Sequence, residues 1–589
     1  MLVDLVCGII TYAGKDDATI HLVRCIKKLE YRGHDSFGCA FYTSKKLIVK
    51  KGVGSAEPLI KSYGIKDIRS RVGMFHTRWA TNGEVNRKNA HPQVDCTGNV
   101  AIVHNGLIEN FAELKKSLVG HIFRSSTDTE VIAHLIEKYL KEGMSLIEAA
   151  VKTNKILIGY SSFAVMYSNF DGVVAVRGGP PLVLGIGKNG TFISSDVNSL
   201  VDEAKEIIYM NNGDVAYTYP EGYKLLGLST TTQHTHKKVF PHQSDIVLKQ
   251  KHKYIMLDEI FEQQELVQKI ISRDLSQIRK AARIVTLAKM VYIVGSGSSF
   301  HAAKFGVEML LKFGVVSISL QPQNLYRYKD LFSTDDVIIF VSQSGETGDM
   351  IKNFEYTSKC KKIGLVNVEN SFIGRNVDVL IKLDVGPEIA VAATKSFTFS
   401  IIYLGLLAAA TKSNLKSMLS DIPKLDSAIT SLLSKYSRSK INAIARKLSK
   451  MGNIWFLGTG IDYPIALEGA LKTEEITYVP SKAFDTYEFK HGPLALVSPN
   501  FYCVVIISDE EAIRSEGGIS EIKTRKGKII GISATSKKDF NFFIKVKPAG
   551  IFSQVTFCIA LQLLAYAIGI NKKIPIDNPR NLAKTVTVT

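Results

Sequence analysis

Up to about residue 230 the apolar residues fall in short runs closed by Gly and Asn, GNVAIVHNGLI at 98–108 and SSFAVMYSNFDGVVAVRGG at 161–179 among them. Runs of this length between turn residues predict short strands, and the region as a whole a mixed α+β domain. The pattern then fails. QHTHKKVFPHQSDIVLKQKHK is polar and basic with one proline, which predicts an interdomain linker, placed at 236–257. His234 and His236 in this stretch read as solvated linker histidines rather than metal ligands. From 258 long helical stretches alternate with short apolar strands, VYIVGSGSS, DVIIFVSQSGE, KKIGLVNV and VLIKLDV, as in α/β units with a parallel sheet.

An internal repeat runs through this second part. VYIVGSGSSFHAA from Val291 matches IWFLGTGIDYPIA from Ile454, with Gly295 and Gly297 falling on Gly458 and Gly460. Two similar α/β domains are therefore expected, at 258–430 and 431–589. Pro548 to Asn571 carries no charged residue and reaches membrane-spanning length, but Ser553, Gln554, Thr556 and Gln562 interrupt it. A helix buried on all sides within an α/β domain has the same signature and is the expected form.

At 589 residues the chain has length for about three domains. Its 46% apolar and 22% charged residues, with 44 Gly and 16 Pro, exclude disordered, collagenous and coiled-coil classes. The net charge of +19 invites a nucleic-acid or anionic-membrane partner. However, the basic residues are spread along the chain, and the densest cluster (Lys237, Lys238, Lys249, Lys251, Lys253) lacks interleaved aromatics. Anionic small substrates are expected instead, with no nucleic acid and no membrane. Seven cysteines, without a CxxC pair or zinc spacing, point to a reducing cytoplasmic compartment and to no metal site. Asp4 within the first apolar stretch, which has no basic lead-in, argues against a signal peptide.

Each repeat opens with strand, G-x-G and helix, where glycines permit a tight turn and helix-start N–H groups can hold an anion. Gly295 to Ser299 lacks the last glycine of a dinucleotide fingerprint and the Gly-Lys-Ser/Thr of a P-loop, so neither NAD nor ATP is favoured. A second strand end supplies Ser342, Gln343, Ser344 and Thr347, neutral donors suited to a sugar phosphate; one hydroxyl would suffice for a helix cap. Glu468, Lys472 and Glu475 fall at i, i+4 and i+7, on one helix face. They could form a solvated salt-bridge row, but His491 in the KHGPLAL that follows tips the reading towards a site. Near the amino end, Cys7 before an apolar strand could be a nucleophile with its own α-amine as base, or a buried strand thiol.

Taken together, the segments CGI at Cys7, LEYRGHDSFG, HTRWATNGE, AHP, VHNGLIEN, SSTDTEVIAHLI, SQSGET, ALEGALK, KHGPLAL and DNPRNLAKTVTV closely resemble one family. It is that of the isomerising glutamine:fructose-6-phosphate aminotransferases, the glucosamine-6-phosphate synthases, and the likeness covers nearly the whole chain. Amidophosphoribosyltransferase and asparagine synthetase begin with a similar glutaminase, but a phosphoribosyltransferase or ATP-pyrophosphatase loop would then follow. The resemblance implies an α+β N-terminal-nucleophile glutaminase at 7–235, then two α/β parallel-sheet sugar-isomerase domains. It implies glutamine-dependent conversion of fructose 6-phosphate to glucosamine 6-phosphate and glutamate, the first step of amino-sugar (UDP-N-acetylglucosamine) biosynthesis.

The resemblance also assigns residues. Cys7 attacks the glutamine amide, Asn105 and Gly106 form the oxyanion hole, Arg78 and Asp128 hold the two ends of the amino acid, and Trp79 gates the site. Phosphate falls on Ser299, Ser342, Gln343, Ser344 and Thr347, while Thr81, His91, Glu468 and Lys472 complete the substrate-binding set. His491 assists ring opening from a neighbouring subunit, so a homodimer is expected; Lys584 forms a Schiff base, and Glu475 moves the proton between C1 and C2. No organic cofactor or metal is implied. Asn82 stands where the family often has histidine, Ala393 where serine is common, and Gln264 where proline is usual. Cys7 is preceded by MLVDLV, so these six residues must be absent from the active chain, either by propeptide cleavage or through initiation at Val6. The competing readings are an isomerase or deaminase with an inert glutaminase half, and a non-catalytic sugar-phosphate sensor.

Overall fold

The computed structural model describes residues 7–30, 33, 35–44, 46–79, 83–227, 250–580, 582 and 584, with the backbone of His236–Lys238. Two compact units emerge, one built mainly from residues before 250 and the other mainly from those after.

The first unit stacks an eight-stranded and a six-stranded sheet between helices. Strand β1 (Gly8–Gly14) lies antiparallel to β2 (Val72–Arg78) in the larger sheet, and β3 (Val100–Ile108) belongs to the smaller. Strand side chains alternate between faces. Ile9 and Ala13 of β1 and Ala101 and Val103 of β3 therefore meet in the core between the sheets. Ile10 and Tyr12 face the opposite way, against Leu22 and Ile26 of the helix Ala18–Lys27. Val100 and Ile102 likewise pack on Ile132 and Ile136 of α1 (Glu130–Lys141). Because both faces of each sheet are covered, the strands are apolar at nearly every position, which is why they appear as runs rather than alternations.

The second unit begins with α2 (Ile255–Gln268), so the last residues of the expected linker are helical, and His236–Lys238 forms an edge strand of the first unit. Two five-stranded parallel sheets follow. The first is built around β4 (Val291–Val294), which leads into α3 (Ser298–Lys312), and β5 (Val337–Ser342); the buried helix α4 (Lys395–Thr411) follows it. The second is built around β6 (Ile454–Gly458), which leads into α5 (Tyr463–Thr477), and β7 (Tyr502–Ile507). Within each domain the strand order is 2-1-3-4-5, so the chain reverses direction between the first and third strands. Ligands of such sheets bind at the carboxyl ends of those two strands.

The glycine repeat has a geometric basis. Gly297 and Gly460 adopt φ of +54° and +52°, and a Cβ on either Gly295 or Gly458 would come within 2.5 Å of the backbone four residues on. One hydrophobic core runs through both domains, joining Ile293 and Ile339 to Phe456 and Val504. Its spine includes α6 (Ser553–Asn571), which is long and apolar enough to cross a membrane yet is mostly buried within the fold. Apolar on every side, it is a core helix, as its polar interruptions foretell: Gln554 and Gln562 are buried and hydrogen-bonded to Asp462 and Gln263.

Candidate active sites

In the first unit, pairing of β1 with β2 sets Gly8 opposite Thr77 and brings the end of β2 to Cys7. The Trp79 N–H donates to Cys7 Sγ at 3.3 Å, and the thiol faces the Trp79 carbonyl at 3.5 Å. Cys7 and Trp79 are both buried. From the other sheet, Asn105 Nδ2 donates to the Cys7 carbonyl at 2.8 Å, so the amide expected to stabilise an oxyanion is already oriented by the nucleophile's own backbone. Gly106 has φ +122°, and a Cβ there would lie 1.9 Å from the Tyr160 carbonyl, so no other residue fits. Arg78 is buried and donates to the carbonyls of Gly83 and Glu84. Its burial lowers its proton affinity, while the charges of Cys7, Asp128 and Asp35 act in the opposite direction, so Arg78 and Asp128 share the nucleophile's surroundings. Asp128 accepts the Ile108 N–H at 2.9 Å. Thr81 and Asn82 lie outside the described residues.

His91 is part of a buried trio. His91 Nε2 and His104 Nδ1 each meet the Thr129 hydroxyl at 2.9 Å, and His76 Nε2 donates to the His104 carbonyl at 3.2 Å. His91 is thus tied to the residue next to Asp128. Burial pushes His76 down to about 3 and also lowers His91 and His104, so all three are neutral at pH 7. The unfolded chain, with histidines near 6.5, takes up protons that the fold refuses, so stability is full above about 6.5 and falls as pH drops towards 3. The expected result is a melting temperature for this unit that falls across pH 6.5 to 4. Trp79 fluorescence in a Trp455→Phe variant reports it, since the chain has two tryptophans.

Thr347 falls in the short stretch Thr347–Lys352 that groups with the first unit. In the second unit, Ser299 sits in the first turn of α3, Ser342 ends β5, and Gln343 and Ser344 follow it. Strands β4 and β5 are neighbours, so these residues meet at the reversal point of the first sheet. Ser342 Oγ accepts the Gly345 N–H at 3.0 Å and Ser344 Oγ the Glu346 N–H at 3.1 Å. The hydroxyls therefore shape the turn as acceptors, and an accepting hydroxyl can still donate to an anion. The repeat does not duplicate this site. Asp462 stands at the position of Ser299, buried and hydrogen-bonded by Ser508 and Gln554, and burial pushes it up to about 7. A carboxyl at that helix start is unsuited to phosphate.

The acidic and basic row on α5 is an interior network, not a solvated one: Glu468 and Lys472 are 2% and 1% exposed. Lys472 Nζ pairs with both Glu468, at 3.3 Å, and Glu475. From the other repeat, Ser298 Oγ donates to Glu468 at 2.9 Å and His301 Nδ1 meets it at 2.8 Å, two contacts that sequence spacing gave no means of finding. Burial works against ionisation of Glu468, but Lys472, His301 and Ser298 outweigh it and hold the carboxyl below its ordinary range. For Glu475 burial wins over Lys472, and its proton affinity is raised.

Lys584 is positioned by the tail. Asp577 accepts the N–H groups of Ile255 and Met256 at the start of α2, and the Arg580 N–H donates to the Tyr478 hydroxyl at 2.7 Å. Lys584 Nζ then reaches Glu388 at 2.6 Å, in a buried pair. Burial opposes ionisation of Glu388, but Lys584 and the Ser396 donors hold it at about 2. Burial pushes the neighbouring Glu259 up to about 7, against the pull of Lys584. The Lys584 charge also acts on Glu475, against the effect of burial. His491 is exposed at the end of the turn Glu488–Lys490, and its ring makes no hydrogen bond among the described residues. Ala393 is half-buried beside the core, and Gln264 Nε2 donates to Thr430 Oγ1 at 2.6 Å.

The chain thus carries a buried cysteine on paired sheets, followed by twin parallel-sheet domains with a hydroxyl-rich turn in the first. Family models agree with this arrangement: the glutamine amidotransferase domain matches residues 64–241, and the SIS domain matches 284–410 and 447–549. The glutamine--fructose-6-phosphate aminotransferase [isomerizing] of Pyrococcus horikoshii is 35% identical over 599 residues, covering 99% of this chain and all of the relative. That of Aquifex aeolicus is 36% identical over the same coverage. The solved C-terminal domain of glucosamine-fructose-6-phosphate aminotransferase from Francisella tularensis superposes with a TM-score of 0.51 at 29% identity, covering 56% of this chain and 99% of that domain. The chain belongs to the isomerising glutamine–fructose-6-phosphate aminotransferase family.

Proposed function

We propose that the protein transfers the amide nitrogen of glutamine to fructose 6-phosphate, giving glucosamine 6-phosphate and glutamate at the start of amino-sugar biosynthesis. The observation that carries this reading is the full-length likeness to glutamine--fructose-6-phosphate aminotransferases, on a fold that holds Lys584 in a buried pair with Glu388 and Glu475 in a pair with Lys472.

Cys7 Sγ attacks the glutamine side-chain carbonyl, and its proton passes to the α-amine of Cys7. Asn105 and the Gly106 N–H stabilise the oxyanion; each such donor is worth about 3 kcal/mol. The C–N bond breaks, ammonia leaves, and water hydrolyses the thioester to glutamate. On the sugar side, Lys584 condenses with the C2 ketone of the open chain and loses water. Ammonia then displaces the lysine amine. Glu475 removes a proton from C1 and returns it to C2, a redox-neutral shift that yields the 2-amino aldose. Glu388 positions Lys584 until the ketose arrives, and Lys472, anchored by Glu468, holds Glu475.

His491 opens the ring from a second copy of the chain, a role that its exposure permits, and the working unit is a homodimer. None of the seven cysteines is joined in a disulfide. The decisive assay supplies glutamine and fructose 6-phosphate and scores glucosamine 6-phosphate. Glutamine-independent isomerisation alone, or sugar-phosphate binding without turnover, would replace this reading with an isomerase or a sensor.

The mechanism requires a free amine on Cys7, because an acylated nitrogen cannot serve as base. Protein from its natural source should therefore begin at Cys7, as intact mass or N-terminal sequencing will reveal. A chain retaining Met1 that still hydrolyses glutamine would refute the assigned base.

A further inference from the structure

Away from Cys7, four side chains of the first unit converge: Cys96 from the turn before β3, His121 from the loop before α1, and His134 and Glu137 one turn apart on α1. One ligating atom from each lies within 4.8 Å of all the others. Cys96 Sγ is 3.6 Å from His134 Nδ1 and 3.8 Å from His121 Nδ1. Glu137 Oε2 is 2.9 Å from His121 Nδ1 and 3.1 Å from His134 Nδ1. A tetrahedral zinc ion with ordinary bond lengths separates sulfur from nitrogen by about 3.6 Å and nitrogen from oxygen by about 3.3 Å. The four atoms thus already stand within a few tenths of an ångström of that arrangement.

We propose that Cys96, His121, His134 and Glu137 form a structural Zn2+ site. A thiolate and a carboxylate balance the charge of the ion, and the two imidazoles bind as neutral ligands through Nδ1. On binding, the thiol releases its proton to solvent, and both histidines carry theirs on Nε2. The surroundings suit this state. The Ile122 N–H donates to Cys96 Sγ at 3.3 Å, as thiolate ligands commonly receive, and the Cys96 N–H donates to Glu137 Oε2 at 3.3 Å. Lys141 holds the other Glu137 oxygen at 2.7 Å. His134 Nε2 is fully buried with no hydrogen-bond partner and faces Glu130 Oε1 at 3.7 Å, where an Nε2–H aimed at a carboxylate would orient a metal-bound ring. The site would fasten the middle of α1, the helix that follows Asp128 and Thr129, to the turn before β3.

The test is metal analysis of full-length protein purified without chelator, using a Cys7→Ala background so that the nucleophile cannot contribute. One equivalent of zinc per chain is expected, lost in Cys96→Ala and in His121→Ala. After chelator stripping, Co2+ should give tetrahedral visible bands with a thiolate charge-transfer band in the near ultraviolet, both erased by added Zn2+. Zinc absent from the Cys7→Ala protein together with no such cobalt spectrum would overturn the site, leaving two histidines hydrogen-bonded to one carboxylate. Retention of the charge-transfer band in Cys96→Ala would overturn it equally. Should the variants fail to fold, the cobalt spectrum of the Cys7→Ala protein decides the matter alone.

Discussion

Replacing Lys584 with alanine should lower glucosamine 6-phosphate synthesis by more than about a hundredfold while glutamine hydrolysis stays measurable. The imine cannot form without the amine, and the thiol chemistry belongs to the other unit. Truncation also strands Glu388, a carboxylate with no exposed surface, and breaking a buried pair costs about 3–5 kcal/mol. Stability and chemistry are separated by Lys584→Arg, which keeps a cation opposite Glu388 but forms no Schiff base. Synthesis should vanish in both variants, and the melting temperature should recover in the arginine one. Equal loss of hydrolysis and synthesis in Lys584→Arg would sink the assignment.

The second large effect is at Glu475. Glu475→Gln keeps the shape of the side chain and removes the base, so sugar phosphate should still bind while aldose formation falls by about 10²–10⁴. Lys472 retains Glu468 as its partner, which limits the structural damage. Proton transfer needs the ionised carboxylate, and burial raises its proton affinity. The wild-type rate should therefore decline with falling pH at values above the ordinary glutamate range. That acidic limb should disappear from the residual activity of the variant. Unchanged turnover would mean that the helix row has only a structural role.

Much of this was legible in the sequence because it rests on local rules. Strand runs, the G-x-G repeat and the interrupted apolar helix each depend on residues within a few positions of one another. The spacing of Glu468, Lys472 and Glu475 gave a common face, but whether that face met water depended on α3 of the other repeat. The partner of Lys584 was out of reach, since Glu388 is 196 residues away and nothing local marks it. The same holds for Cys96, His121, His134 and Glu137. Their chain spacing matches no zinc pattern, and only the folding of α1 back against the turn before β3 assembles them. His91 pointed to the glutamine site but not to Thr129, a tie that depends on pairing within the smaller sheet.

Helix α6 follows both parallel sheets in the chain, yet it lies in the core that they share. During synthesis both repeats therefore emerge from the ribosome before the segment that completes their interior, and neither half can reach its final packing until that segment arrives. The short tail after it brings Asp577 to α2 and Lys584 to Glu388. A chain interrupted before Ser553 would lack both this part of its core and the amine proposed to form the imine. Packing of the two sheets and placement of Lys584 thus both wait on the same late stretch of chain.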